Sequence, residues 1–178
     1  INIMCDAHGT FSVAEAKRFC REVAEGNISW LEEPVVPDDK RGMAEVRAST
    51  DVPISTGESE FTRFAFRDLA ELRACDIFQP DLSICGGVTE AMRIEAIASA
   101  YQLRYAPHLW GGALTFAAGL HTLVVASTGF IVEYSLGANP MLHELAVEDF
   151  IVVDGHLDVP DRPGLGVTVD EAVSYTHL

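Results

Sequence analysis

The sequence predicts an α/β protein, specifically part of a (β/α) barrel of the TIM type: about six βα units, third to eighth strand, followed by a C-terminal β-hairpin extension. Three observations predict it. Short apolar runs alternate with stretches of helical spacing as far as residue 135. Asp6, Glu32, Glu58, Asp81, His108 and Glu133 each follow one of those runs, at intervals of 26, 26, 23, 27 and 25 residues. One strand, one crossover helix and two loops take about 25 to 30 residues, so each of these residues marks one βα unit. Finally, every strand end carries a polar residue. An open doubly wound sheet binds at one switch point and has no use for that, whereas a closed barrel gives all strand ends a common centre.

Each element follows in order. Ile1 to Cys5 reads as a buried strand that delivers Asp6 and His8, with Gly9 permitting the turn. Ser12 and Glu15 form a capping box for a helix whose apolar face is Val13, Ala16, Phe19, Cys20 and Val23, ending at Gly26. Ile28 to Leu31 is the next strand, and Pro34 forces an exit into a loop after Glu32-Glu33. Asp38 to Ala48 is a helix, Val52 to Thr56 a strand closed by Gly57-Glu58, and Thr62 to Leu72 a helix. Ile77 to Asp81 is a strand with a proline tolerated at its end. Gly86-Gly87 opens a helix over Val88 to Tyr101, Leu103 to Ala106 is a strand ending in Pro107-His108, and Gly111 to Ala126 is an alanine-rich helix. Phe130 to Val132 is the sixth strand, leading to Glu133. Beyond it, Phe150 to Val153, the Asp154-Gly155 turn and His156 to Val159 form a hairpin, with Val167 to Val169 as a last short strand. Residues 1–135 are thus expected to carry the barrel and its chemistry, and 136–178 an extension that closes on Ser174 to Leu178 without a clear element.

Composition narrows the function. With 178 residues, 48% hydrophobic and 22% charged, the chain suits one globular domain. Twelve basic against 27 acidic residues give a net charge of −15, which argues against nucleic acid and anionic membrane surfaces as partners. Cys5, Cys20, Cys75 and Cys85 have neither metal spacing nor the density of a disulfide scaffold, so buried thiols and a cytoplasmic address are expected. No run of 18 apolar residues suits a membrane span. The chain opens in mid-strand without an initiator Met, which suggests a piece of a longer protein.

Asp6, Glu32 and Glu58, on three successive strands, are what a hard divalent cation such as Mg²⁺ needs; without one, three converging carboxylates would repel. Singly, each reads as a loop acid or helix cap. Of Glu32 and Glu33, strand alternation lets only one face the centre, and Glu33 is expected to turn away. Asp81 and His108 end neighbouring strands, where a carboxylate can fix the tautomer of an imidazole general base. His8 lies two residues past Asp6, placed to act as a general acid opposite His108, and Glu133 closes the ring as a partner for a substrate oxygen. His121, His143, His156 and His177 fall outside the strand ends and receive no role.

Asp6-Ala7-His8-Gly9, Trp30-Leu31-Glu32-Glu33-Pro34, Gly57-Glu58, Gln79-Pro80-Asp81 with Gly86-Gly87, Pro107-His108 and Glu133, in that order, resemble the mandelate racemase subgroup of the enolase superfamily, C-terminal barrel portion only. The resemblance implies Mg²⁺ on Asp6, Glu32 and Glu58, with His108 oriented by Asp81 to abstract the proton α to a substrate carboxylate. A histidine two residues after the first ligand is similar to acid-sugar dehydratases, where it protonates the departing hydroxyl. Other stretches look like cycloisomerases or racemases of hexarates, so a dehydratase ranks first and these second. The family's N-terminal capping domain and second-strand lysines have no counterpart in the sequence. A homo-oligomer of the full-length protein acting on a small acid sugar is therefore expected, and a non-catalytic barrel fragment is the competing reading.

Overall fold

The computed structural model describes residues 1–176. Five parallel strands form one sheet in sequence order: β1 (Ile3–Asp6), β2 (Ile28–Glu32), β3 (Ile54–Thr56), β4 (Ile77–Phe78) and β5 (Arg104–Tyr105). They alternate with α1 (Val13–Glu22), α2 (Lys40–Arg47), α3 (Thr62–Glu71), α4 (Gly87–Ala100) and α5 (Ala113–Val125). The register pairs Asp6 with Glu32 and Glu32 with Ser55, which brings the strand ends to one level.

Local chemistry accounts for these elements. The capping box of Ser12 and Glu15 forms with both of its hydrogen bonds, and Asp39 caps α2 by accepting from the Gly42 N–H at 2.8 Å. Along β4 the side chains alternate. Phe78 packs outward against α3, its ring edge-on to Phe66 at 5.0 Å, while Ile77 packs inward with Trp30 and Ala106. Such an aromatic pair contributes ~0.5–1.5 kcal/mol beyond its buried area. At the amino ends of the strands, Asp76 accepts from Arg47 Nε and Nη2 at 2.9 and 2.6 Å and from the Ile54 N–H at 2.9 Å. On α4, buried Glu95 accepts from the N–H and hydroxyl of Ser127, at 2.9 and 2.8 Å, and so holds the loop after α5.

The sixth expected strand, Phe130 to Val132, does not join the ladder. It follows β5 through the single parallel bridge of Tyr105 with Gly129. Pro107 has no N–H to give the next bond, so the pairing stops there. Phe130 and Ile131 nevertheless pack inside the sheet with Trp30, and the Arg104 guanidinium lies 3.2 Å over the Phe130 ring.

After Ser135 the chain covers α5. A short α6 (Pro140–His143), which the sequence reading did not anticipate, is capped by Asn139. The hairpin forms as β6 (Val152–Val153) and β7 (His156–Leu157), with Asp154 and Gly155 at φ of 50° and 77°, as a type I′ turn requires. The Tyr134 and Phe150 rings meet Phe116 at 5.3 and 4.6 Å. The expected last strand is one antiparallel bridge, Ala146 with Val169. A helix, α7 (Glu171–Thr176), replaces the expected elementless end, because Asp170 accepts from the Ala172 N–H at 2.9 Å and starts a turn. His177 and Leu178 lie outside the described residues. All four cysteines are free, Cys20, Cys75 and Cys85 buried and Cys5 partly so. Among the described residues, no helix is long and apolar enough to cross a membrane.

Candidate active site

All seven residues singled out in the sequence lie at the carboxyl ends of the strands or directly beyond them. Asp6 and Glu32 are the last residues of β1 and β2, Glu58, Asp81 and His108 follow β3, β4 and β5 within a few residues, and Glu133 follows the segment 130–132 that runs beside β5. Pro80 and Pro107 interrupt the ladder there, which frees the chain to bring side chains over the opening.

Glu58 is the hub. Its Oε1 lies 3.4 Å from His8 Nδ1, and its Oε2 lies 3.5 Å from His108 Nε2. Two imidazoles therefore flank one carboxylate, one on each oxygen. His108 Nδ1 lies 2.8 Å from Asp81 Oδ2, and Asp81 Oδ1 accepts from the Ser83 N–H at 2.7 Å and from the Ser83 hydroxyl. With Nδ1–H committed to Asp81, Nε2 is the atom presented to the opening. Burial opposes charge on His108, but the Asp81 hydrogen bond, together with Glu133 and Glu58, pushes its pKa up to about 9. Although burial opposes its charge too, Asp81 is held below the usual carboxylate range by His108 and Ser83. Glu133 Oε2 accepts from the Leu109 N–H at 2.8 Å, one residue past His108.

His8 is mostly exposed, its side chain 74% accessible, and adopts φ 46°. Its N–H donates to Asp6 Oδ1 at 2.7 Å, and the Gly9 N–H donates to the Glu33 carbonyl at 2.7 Å. These bonds tie the loop after β1 to the loop after β2. Gly9 has φ 68°, and an added Cβ would sit 3.2 Å from the Val36 backbone, so both loops approach where only glycine fits.

Glu33 departs from expectation. It does not turn away from the centre: it is 2% exposed, and its carboxylate gathers with Glu58 and His8, ligand atoms within 4.8 Å of one another. The reason is that β2 ends at Glu32. Strand alternation no longer applies to Glu33, and its φ of 35° rotates the side chain inward, where it accepts from the Thr56 hydroxyl at 3.3 Å. Burial, and then Glu58, push the Glu33 pKa up to about 7. Glu32 stands apart from that trio. Its Oε2 accepts from Trp30 Nε1 at 3.2 Å, and burial, with Asp6 and Glu133 nearby, pushes its pKa up to about 7 against the lowering influence of Gln79 and Trp30.

The sequence reading turned Glu33 away from the centre, gave Trp30 and Gln79 no role of their own, and did not single out Ser83. For Ser83 a signal existed, since Asp-x-Ser before a helix is a turn in which the carboxylate bonds back to the chain. The chemistry available is that of hard oxygen donors: four carboxylates whose mutual repulsion a divalent cation relieves, and an imidazole on either side. This donor set fits Mg²⁺, which favours carboxylate oxygens.

Residues 1–173 match the family described as enolase C-terminal domain-like. D-galactonate dehydratase of Ralstonia pickettii is 37% identical over 176 residues, covering 94% of this chain and 46% of the relative. The enzyme of that name from Xanthomonas oryzae is 35% identical over 177 residues, covering 96% and 46%. Among solved structures, the 3,6-anhydro-D-galactonate cycloisomerase of Zobellia galactanivorans is similar, with a TM-score of 0.92, 33% identity, and 98% and 50% of the two chains covered. A mandelate racemase/muconate lactonizing enzyme from Jannaschia sp. gives 0.92, 32% identity, and 99% and 45% covered. The chain thus spans about half the length of the proteins it matches.

Proposed function

The chain belongs to the enolase C-terminal domain-like family, and on that premise we propose that the complete protein is a Mg²⁺-dependent acid-sugar dehydratase. It removes the proton α to the carboxylate of an aldonate or aldarate and expels the β-hydroxyl, giving a 2-keto-3-deoxy acid. The observation that carries this reading is the placement of His8 and His108 on the two oxygens of Glu58. An elimination needs a base for the α-proton and an acid for the leaving oxygen, and two imidazoles on separate sides of one point supply both.

Asp6, Glu32 and Glu58 are the residues we assign to the metal, with Glu33 close enough to Glu58 to share its field. Bound there, Mg²⁺ supplies positive charge beside the substrate carboxylate. His108 Nε2 takes the α-proton in its neutral form, and Asp81 holds the ring so that Nε2 carries the lone pair. Glu133, held beside His108 by the Leu109 N–H, is the hydrogen-bond partner for a substrate oxygen. As the Cα–Cβ double bond forms, the Cβ–O bond breaks, and protonated His8 gives its proton to the departing oxygen as water leaves. The resulting enol then becomes the keto acid. Residues 1–135 carry all of these groups.

The similarity to a cycloisomerase supports one alternative. There the same first proton transfer at His108 is followed by ring closure within the substrate instead of loss of water.

Two measurements on the complete protein test the proposal. Metal addition should raise the melting temperature by mass action, and Glu58→Gln should abolish the rise. In a screen of aldonates and aldarates, His8→Asn should stop formation of keto-deoxy product while exchange of the α-proton with solvent continues. Loss of both reactions removes His8 from the acid role, and absence of any keto-deoxy product with the unaltered protein refutes the dehydratase reading.

A further inference from the structure

Helix α3 starts without a cap of its own. Phe61, the residue before it, has no side-chain acceptor, and Thr62 opens the helix at φ 59°, a left-handed angle that a β-branched residue rarely takes. The N–H groups of this first turn are met by the next unit instead. The Thr62 N–H donates to the Cys85 carbonyl at 3.1 Å, and the Arg63 N–H donates to Oε1 of Glu90, on α4, at 2.9 Å. Arg63 Nη1 adds bonds of 2.7 Å to both oxygens of that carboxylate, and Arg93 Nη1 donates to Oε2 at 3.0 Å. Glu90 is 7% exposed, and Gly86 makes room for it: a Cβ there would lie 3.2 Å from Glu90 Cβ, at a φ of 115°. Each end of this contact leads into the site. The Gly57 carbonyl accepts from the Glu60 N–H at 3.1 Å, closing the turn that carries Glu58, and α3 begins two residues later. The Asp81 carbonyl accepts from the Ile84 and Cys85 N–H groups at 3.1 and 2.7 Å, closing the turn that carries Asp81. Cys85 is therefore both the end of the Asp81 turn and an acceptor for α3.

We propose that Glu90 is a positioning residue: supplied to α3 from α4, it caps the helix that follows Glu58 and thereby sets the spacing between the Glu58 turn and the Asp81 turn. Glu58 Oε2 and His108 Nε2, 3.5 Å apart, face each other across that same gap, with His108 held by Asp81. Glu90 bonds to none of these three and acts through the backbone of Arg63. The inference rests on the reading of Glu58 and His108 as metal ligand and base given above, and adds to it a residue from the outer layer of helices that no strand-end pattern contains.

The test uses the complete protein and two variants that separate the cap from the ion pair. Glu90→Ala removes both. Glu90→Gln keeps an oxygen that can accept from the Arg63 N–H and Nη1, as Oε1 does, and loses the charge. Two readouts are taken well below the melting midpoint of each variant. One is amide hydrogen exchange without metal. The other is Mg²⁺-dependent exchange of the α-proton with solvent, on the aldonate or aldarate that reacts fastest with the unaltered protein. Glu90→Ala is expected to speed amide exchange in 57–63 and 81–85 together, and to slow α-proton exchange about tenfold to a hundredfold at saturating Mg²⁺ and sugar. Glu90→Gln is expected to recover most of both, although it lacks the charge. Unchanged α-proton exchange in Glu90→Ala overturns the proposal and leaves the dehydratase reading standing, as does Glu90→Gln being as slow as Glu90→Ala. Amide exchange that speeds in 57–63 without 81–85 also overturns it. An unaltered protein that exchanges the α-proton of none of these acids overturns both. Should Glu90→Ala not fold, Glu90→Asp, which keeps the charge but draws it back by one carbon, takes its place with the same outcomes.

Discussion

Replacing Asp81 by Asn keeps the shape of the dyad and removes its charge. The Asp81 hydrogen bond, with Glu133 and Glu58 nearby, pushes the His108 pKa up to about 9 from the ordinary 6.5, against the effect of burial. A hydrogen bond to a charged group contributes ~1.5–3 kcal/mol, and each pH step in a midpoint corresponds to ~1.4 kcal/mol. Losing the Asp81 charge should therefore lower the His108 midpoint by about one to two pH steps, to about 7 to 8, with Glu133 and Glu58 retaining the remainder. The sign for stability follows. A histidine raised in the native state stabilises fully below its unfolded midpoint of 6.5, and loses that contribution as pH rises through 9. The difference in unfolding free energy between the unaltered protein and Asp81→Asn should accordingly be largest near pH 6 and shrink toward pH 9.5. Peptide-resolved rates of diethyl pyrocarbonate modification against pH, with a chelator present, report the midpoint directly. An unchanged His108 midpoint in Asp81→Asn would refute the dyad as the source of the shift.

Glu33 makes the opposite prediction. Its folded pKa of about 7 lies above the ordinary 4.5, so the native state holds a proton that the unfolded chain has released, and stability falls as pH rises through that window. Glu33→Gln should gain stability over the unaltered metal-free protein at pH 8, by up to roughly 3 kcal/mol, and little at pH 4.5; parallel melting curves at both pH values would count against it. Gly57→Ala should destabilise by more than ~1–3 kcal/mol, because a Cβ there meets Phe66 Cε1 at 2.7 Å at a φ of 137°, and chemical denaturation reads the loss. Glu95→Ala should cost ~1–3 kcal/mol by orphaning the Ser127 and Thr128 N–H groups, with hydrogen exchange rising first in that loop.

The recurring interval made the strand ends legible, because one βα unit has a nearly fixed length and the residue closing each strand cannot move far from the rim. Glu33 was misread for a physical reason. Alternation holds only while the backbone stays extended, and no pattern in Glu32-Glu33-Pro34 states whether the strand stops before or after the second glutamate. The fate of residues 130–132 was partly readable: Pro107 on the adjacent segment removes a ladder donor, but only pairing shows which bond it removes. The helix over Glu171–Thr176 was missed although Asp170 is an ordinary helix-starting residue, because the reading there followed the short apolar run of Val167 to Val169.

The strictly sequential strand order has a consequence for how the molecule opens. Each unit leans on its neighbours in the sequence, as in a linear stack, and β2 lies between β1 and β3. Asp6 closes β1 and Glu58 follows β3. An ion shared between them would act as a rivet across β2, tying the opening of one strand to that of the other, and amide protection along Ile3–Asp6 would become a direct gauge of metal occupancy.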